Sequence, residues 1–441
     1  MNHLNQYLSQ FCSIGLLGYG VEGKSSYRYI RKYFNELKII VFDDSDEKLP
    51  EKDNAQKHLL KDWVKSIGEV DLWIKSPGIP WSELMEANKE KMTSQSELFL
   101  KYVPGKKIGI TGSLGKSTTS QYIYDALKFS NKQGFLGGNI GQPLFNFVDY
   151  VCDDDVIVME LSSYQLKNIS SSPDIAVLLN MFPDHLDFHL SCNDYFESKS
   201  LIGKFQNNSN VLIYNKDISS NYIIGNGKKV SFTAGKNEAD INALDSKIYL
   251  ENNQEIEINE KLFWKISDKL NLCAVVAVLL ELGMNINDIE NSLDSLSGLE
   301  FRLEFSGKIN AIEFFNDSIS TIPESTINAI KSVKDVDCLI IGGFDRGIDQ
   351  KKLLEELLDR DTLKHILCLG DTGKLIHDTL KEKKRKGIIF LEDIKEVFHH
   401  IDKQNNIKKC VFSPGAPSFG MYKNFIERGQ AFHEALMNWK K

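Results

Sequence analysis

Residues 108–118 run Ile108-Gly109-Ile110-Thr111-Gly112-Ser113-Leu114-Gly115-Lys116-Ser117-Thr118, an apolar strand, a glycine turn and the start of a helix. Such a turn is built to hold phosphate. Gly112 and Gly115 let backbone N–H groups converge on an anion with no Cβ in the way. Lys116 adds a mobile positive charge, and Ser117 a hydroxyl suited to a magnesium ion. A helix expected from about Thr118 to Phe129 points its positive end at the same spot. The strict Walker spacing wants a glycine six places before the lysine, where Ile110 stands, so the match is to the shorter Gly-x-x-Gly-Lys-Ser-Thr form. An ordinary strand-to-helix turn with a solvated lysine can share these letters. The flanking strand and helix favour ATP or GTP binding.

Outward from the turn, apolar runs at Asp155–Glu160 and Asp174–Asn180 end in polar residues, as strands of a parallel sheet covered on both faces do. Ligands of open α/β sheets lie beyond the carboxyl ends of the strands. That rule puts Glu160 and Asn180, with Asp184, His185 and Asp187 just after, on the rim of Lys116. A carboxylate and an imidazole there could hold magnesium beside nucleotide phosphates. Alone, Glu160 also reads as a helix-capping acid and His185 as a hydrogen-bonded loop histidine. Val230–Thr233, Lys247–Leu250 and Glu255–Ile258 read as short strands of an antiparallel edge, and Asn271–Leu282 as a helix packed into the core.

Strand–glycine–helix signals recur on both sides. Before the turn, Gly18, Gly20 and Gly23 form a G-x-G-x-x-G motif; the strand Lys38–Phe42 ends in Asp43 and Asp44, about 20 residues on, where an acid meets a ribose. A strand Val70–Ile74 runs into Ser76-Pro77-Gly78-Ile79, a phosphate- or sugar-facing loop. After Phe301-Arg302-Leu303-Glu304, strand candidates Ile312–Phe315, Cys338–Ile341, Ile366–Leu369, Gly387–Leu391 and Lys409–Phe412 alternate with helices such as Pro323–Val333, with Thr321 or Ile322 near its cap. The fold class is α/β in three domains: a Rossmann-like domain over 1–101, a central phosphate-loop parallel sheet with an antiparallel edge over 102–303, and a second Rossmann-like domain over 304–441.

Composition narrows the function classes. A chain of 441 residues with 42% hydrophobic and 26% charged side chains is ordinary for a globular protein. Net charge of −8 with no basic block argues against nucleic acid or an acidic membrane surface. No apolar run approaches the length of a bilayer span, and the N-terminal residues lack a signal-peptide layout. Seven scattered cysteines without a Cys-x-x-Cys pair suit reduced thiols in a cytoplasm.

The motifs together resemble the Mur ligases, ATP-dependent amide-forming enzymes of peptidoglycan precursor synthesis. The resemblance covers the whole chain. It rests on Gly18-Tyr19-Gly20, Thr111–Thr118, Gly138-Asn139-Ile140-Gly141, Glu160-Leu161-Ser162-Ser163-Tyr164-Gln165, Asp184-His185-Leu186-Asp187, Phe301-Arg302-Leu303-Glu304 and Asn316-Asp317-Ser318. The ending Ser413-Pro414-Gly415-Ala416-Pro417-Ser418 through Lys423-Asn424-Phe425 to Arg428-Gly429 looks like that of the D-glutamate-adding members.

The resemblance implies a cytoplasmic monomer that joins two small molecules, UDP-N-acetylmuramoyl-L-alanine and D-glutamate, through an acyl phosphate. It implies that Gly112, Ser113, Gly115, Lys116, Ser117 and Thr118 hold ATP, with Asn271 near the adenine and Arg302 and Asp317 reaching the nucleotide from the last domain, which closes on it. Ser117, Glu160, His185 and a carbamylated Lys199 would hold two magnesium ions, Lys116, His185 and Lys199 being the catalytic set. A bare ammonium at Lys199 would repel magnesium, whereas an N-carboxy group is an anionic oxygen ligand; without the resemblance, Lys199 reads as an exposed helix lysine. Gly18, Asp43, Ser76, Gly78 and Asn139 would face the UDP-linked substrate. Thr321, Arg346, Ser418 and Phe425 would bind D-glutamate.

Some positions depart from the family pattern. Leu114 replaces an asparagine in the phosphate loop, Ser267-Asp268 stands for His-Asn, Ile319 replaces a lysine, and Gly420 replaces an aspartate. Other readings are a relative with another amino-acid specificity, a folate-type polyglutamate ligase, a catalytically impaired UDP-sugar-binding protein, and an NAD-dependent oxidoreductase. The last leaves Lys116 and Glu160 unexplained.

Overall fold

The computed structural model describes the chain except residues 1, 47, 51–54, 131, 185–187, 236–237, 259–265, 297–299, 346, 405 and 441. Two compact units divide the chain, Met1–Leu296 and Ser297–Lys441. The first holds two sheets and the second one.

The first sheet has five parallel strands in the order Gln56–His58, Lys38–Phe42, Ser13–Leu17, Leu72–Lys75, Met92–Thr93. Ser13–Leu17 is central and buried throughout. The helix Val21–Tyr33 follows it closely because position 23 is glycine: a Cβ there would lie 2.1 Å from the Gly18 carbonyl oxygen.

The second sheet has nine strands. From one edge they run Glu255–Glu257, Lys247–Leu250, Ile241–Leu244, Lys228–Ala234, Val211–Asn215, Ile175–Leu178, Lys106–Thr111, Val156–Glu160, Gly134–Gly138. Six neighbouring pairs are parallel, through Ile241–Leu244. Only Lys247–Leu250 and Glu255–Glu257 pair antiparallel. The expected antiparallel edge therefore exists but excludes Val230–Thr233, which lies in a strand parallel to both neighbours and is buried at all four residues, as strands inside a parallel sheet are. Val156–Glu160 and Ile175–Leu178 are buried at every residue. One face is covered by the helices Lys116–Phe129, Ile266–Glu281 and Ile286–Asp294. The other shares a continuous core with the first sheet, joining Ile157, Met159 and Leu212 through Leu144, Phe145 and Phe147 to Leu4, Ile14 and Ile30.

The sheet of the second unit runs Glu304–Ile309, Ile312–Asn316, Lys409–Phe412, Cys338–Ile341, His365–Leu369, Ile388–Leu391. Its first pair is antiparallel and the rest parallel. Glu304–Ile309 was not among the expected strands; its burial is broken and uneven, so no clean alternation marks it. The other five match the expected positions within a residue or so. Ile322 is the N-cap of the helix Pro323–Ser332, so Thr321 lies just outside it.

Candidate active site

Register brings the strand ends of the central sheet level. Ile110 pairs with Glu160, Gly138 pairs with Glu160, and Thr111 pairs with Leu178. The residues that follow (Gly112, Asn139, Leu161 and Leu179) lie on one rim, at the strands where the chain order reverses.

The phosphate turn is braced from beneath. The Asn180 side chain accepts from Leu114 N–H at 2.8 Å and donates to the Leu114 carbonyl at 2.9 Å, fixing that peptide from both ends. Ser113 Oγ donates to the Phe182 carbonyl, accepts from Phe182 N–H, and lies 3.0 Å from the Tyr195 hydroxyl. Ser113, a nucleotide candidate by sequence, thus uses its hydroxyl to hold the turn. Gly115 adopts φ +84° as the N-cap of Lys116–Phe129, and a Cβ there would lie 2.3 Å from Asn271 Oδ1. With no capping side chain, the helix start is left to an anion. Asn271 is brought against the turn by the helix Ile266–Glu281, Ser117 sits half-buried in the first turn, and Thr118 is buried behind it.

Two lysines meet at this turn. Lys116 Nζ donates to the carbonyls of Gly112 at 2.8 Å and Ser113 at 3.0 Å. Lys199 Nζ donates to the same Gly112 carbonyl at 2.9 Å. Lys199 is 1% exposed, so the exposed-lysine reading is wrong. The helix Cys192–Lys204 turns Tyr195, Lys199 and Ile202 inward, and the Lys199 ammonium lies 4.6 Å from the Tyr195 ring centre. Burial, with repulsion from Lys116, pulls Lys199 well below the ordinary lysine value, while Asp184 and Glu160 pull the other way.

Glu160 is also 1% exposed. Its Oε1 accepts from Asn139 Nδ2 at 2.7 Å, and its Oε2 is buried with no hydrogen-bond partner among the described residues. An orphaned carboxylate oxygen is costly unless a cation takes it. Glu160 and the Ser117 hydroxyl offer oxygen donors, the kind that suits Mg²⁺. Asn139 is otherwise exposed on the rim. His185 lies outside the described residues.

Sequence reasoning passed over His189. It is 2% exposed, with Nε2 3.0 Å from Ser163 Oγ and Nδ1 3.3 Å from Asp194 Oδ2, and Asp194 pairs with Lys167 at 2.7 Å. A second histidine four residues after His185 was the available signal. Glu22 was missed too: Gln165 Nε2, two residues past Ser163, donates to it at 2.6 Å, tying the glycine-rich helix of the first sheet to the Glu160 loop.

In the first sheet Gly18, Ser76 and Gly78 lie together at the strand ends, with Ser76 Oγ donating to the Gly18 carbonyl at 3.3 Å. Lys75 Nζ donates to the Ser76 and Ile79 carbonyls at 3.0 and 2.7 Å and shapes that loop. Asp43 accepts from Tyr19 N–H at 2.7 Å and Ser45 N–H at 2.8 Å, so its carboxylate braces the glycine turn.

In the second unit, the loops after Ile312–Asn316, Cys338–Ile341 and Lys409–Phe412 gather at one rim. Asp317 accepts from Leu303 N–H at 3.0 Å, Ser320 Oγ at 2.5 Å and Ser413 Oγ at 2.7 Å; Arg302 immediately precedes Leu303. The Phe425 carbonyl accepts from Ser318 Oγ at 2.8 Å, and Ser418 is buried in the neighbouring loop. Thr321 is half-buried beside the same loops, and Arg346 lies outside the described residues.

The family model of the Mur ligase middle domain matches residues 110–277. The chain is 31% identical to the UDP-N-acetylmuramoylalanine--D-glutamate ligase of Ruminiclostridium cellulolyticum over 99% of this chain and 100% of that one. It is 32% identical to the enzyme of the same name from Clostridium acetobutylicum over 96% of each. Among solved structures, it resembles the MurF ligase from Thermotoga maritima in complex with ADP (TM-score 0.57, 18% identity, 96% of this chain and 95% of that one). It also resembles MurF from Acinetobacter baumannii (TM-score 0.58, 17% identity, 96% and 90%). The structural likenesses show a common three-domain fold.

Proposed function

Because the chain belongs to the Mur ligase family, we propose that it is the ATP-dependent ligase joining D-glutamate to UDP-N-acetylmuramoyl-L-alanine in peptidoglycan precursor synthesis. The single observation carrying the site assignment is the buried Glu160 Oε2, without a hydrogen-bond partner among the described residues, on the rim of the phosphate turn and Lys199. Residues 1–101 take the UDP-linked substrate, 102–303 carry the ATP chemistry, and 304–441 take D-glutamate.

A carboxylate does not condense with an amine in water unaided. The alanine carboxylate first takes the γ-phosphoryl group of ATP, giving an acyl phosphate and ADP; the amine of D-glutamate then displaces phosphate. Such transfers need charge neutralisation and alignment more than covalent help. Lys116 leaves its carbonyl partners and turns to the β/γ-phosphates, which the turn and the uncapped helix start receive. Ser117, Glu160, His185 and a carboxylated Lys199 would hold magnesium, which would supply positive charge to the phosphates. Asn139 orients the muramoyl group with one side of its amide while fixing Glu160 with the other.

The environment of Lys199 suits its modification. The neutral amine attacks the carbon of CO₂; a C=O electron pair moves to oxygen, an N–C bond forms, and the nitrogen loses a proton, leaving an anionic carbamate. Burial favours the neutral amine the attack requires.

The test is phosphate release from ATP with UDP-N-acetylmuramoyl-L-alanine and Mg²⁺, with and without D-glutamate. Sustained release only with D-glutamate is expected. Release with a different amino acid would reassign the specificity. Silence with all of them would leave a UDP-sugar-binding relative, the reading that Leu114 and Ile319 favour.

A further inference from the structure

Arg428, in the helix Phe425–Lys440, sits where strand-end loops of the second unit meet, and is 3% exposed. Its Nε donates to Ser318 Oγ at 3.1 Å, Nη2 to the Ser318 carbonyl at 2.7 Å, and Nη1 to the Ala416 carbonyl at 2.8 Å. Ser318 Oγ in turn donates to the Phe425 carbonyl at 2.8 Å. A third loop crowds the same group: a Cβ on Gly343 would lie 3.1 Å from Nη1. One guanidinium therefore spans the loops that follow three strands and the first turn of its own helix.

Its acceptors are all neutral oxygens, so no direct ion pair cancels the charge among the described residues. Burying such a charge is expensive. Burial pulls Arg428 down to about 10, with Tyr422 and Asp317 opposing the shift. The expense is explained if the rim is made to receive an anion. Position 319, next to Ser318, carries isoleucine and offers no cation of its own.

We propose that Arg428 is a positioning residue for the acidic amino-acid substrate, holding the Ser318 and Ala416 loops in their binding geometry and lending that rim a positive charge that no direct ion pair holds among the described residues. The proposal rests on the ligase reading above and adds to it the group that organises amino-acid selection.

The experiment uses the full chain with Arg428→Lys and Arg428→Ala. Arg428→Lys keeps the charge but loses the planar fork. It is expected to raise KM for D-glutamate by about 10- to 100-fold, with KM for ATP and the UDP-linked substrate within about twofold. Guanidinium ion at millimolar concentration is expected to restore part of the loss in Arg428→Ala. An unchanged D-glutamate KM in Arg428→Lys, or an equal rise for all three substrates, overturns the proposal; if Arg428→Ala does not fold, the lysine variant alone decides. If the wild-type chain turns over no amino acid, the ligase reading fails separately. Amide exchange then judges Arg428: faster exchange in Arg428→Lys confined to 316–320 and 413–418 supports its positioning role, and unchanged exchange there overturns it.

Discussion

Lys116 and Lys199 both donate to a single acceptor, the Gly112 carbonyl, at 2.8 and 2.9 Å. Two ammonium groups at one carbonyl in a buried place repel strongly, and desolvation penalises the more deeply buried one. Lys116 can leave, because its flexible stem lies at a half-open helix start. Lys199 is held on its buried helix, so burial weighs most on its charge.

Lys199→Ala is therefore expected to keep the fold and lose at least about two decades of kcat. Intact-mass measurement under bicarbonate should find wild-type protein heavier by one CO₂ unit, and the variant not. Full activity in Lys199→Ala would remove the lysine from the mechanism.

Replacing Glu160 by glutamine keeps the volume and the Asn139 contact but removes the charge at the unpartnered oxygen. We expect kcat to fall by about two to three decades, with the Mg²⁺ concentration for half-maximal rate rising by about tenfold. Titrating Mg²⁺ at saturating ATP measures both. A variant with the wild-type Mg²⁺ dependence would place the metal elsewhere.

Gly115→Ala forces a side chain into φ +84° and within 2.3 Å of Asn271 Oδ1. A cost of about 1–3 kcal/mol in unfolding free energy is expected, together with weaker ATP binding. Denaturant titration of Gly115→Ala beside Gly115→Ala/Asn271→Ala separates the two causes. Removing Asn271 relieves the contact but not the backbone strain, so recovery should be partial; complete recovery would mean that the turn tolerates the left-handed alanine.

Glu22 is pushed up to about 7 by burial, against the opposing influence of the Gln165 bond and of Lys75, which burial itself draws down to about 8 while Lys167 repels it. The folded chain thus holds a proton on Glu22 between about pH 4.5 and 7 that the unfolded chain has released. Glu22 then lowers stability as pH rises through that window. Glu22→Gln removes the titration and keeps an acceptor for Gln165. Its melting temperature should gain on wild type from pH 4.5 to about pH 8, and a constant difference across that range would show that Glu22 titrates normally.

Much of the site was legible because its residues follow strands directly: Gly112, Asn139 and Glu160 each sit at or just past a parallel strand end, and the register of adjacent strands places them level. Glu304–Ile309 escaped notice because its burial is uneven, and the direction of Lys228–Ala234 because pairing is set by a distant partner. Glu22 gave no local signal, and His189 gave only its spacing from His185. Their importance lies in Ser163, Asp194 and Gln165, between 5 and 143 residues away in the chain.

Sequence alone determined the α/β class, the phosphate turn and its rim, because strand and helix periodicity and the glycine spacing are local properties of the backbone. Tertiary structure alone decided which polar groups are spent and which are left over. Ser113, Asp43 and Asp317 carry letters of binding residues but are occupied in bracing loops, whereas Glu160 keeps one buried oxygen without a hydrogen-bond partner among the described residues and Lys199 is buried beside Lys116. Desolvation and hydrogen-bond satisfaction depend on every neighbour at once, and those neighbours are assembled only when the chain is folded.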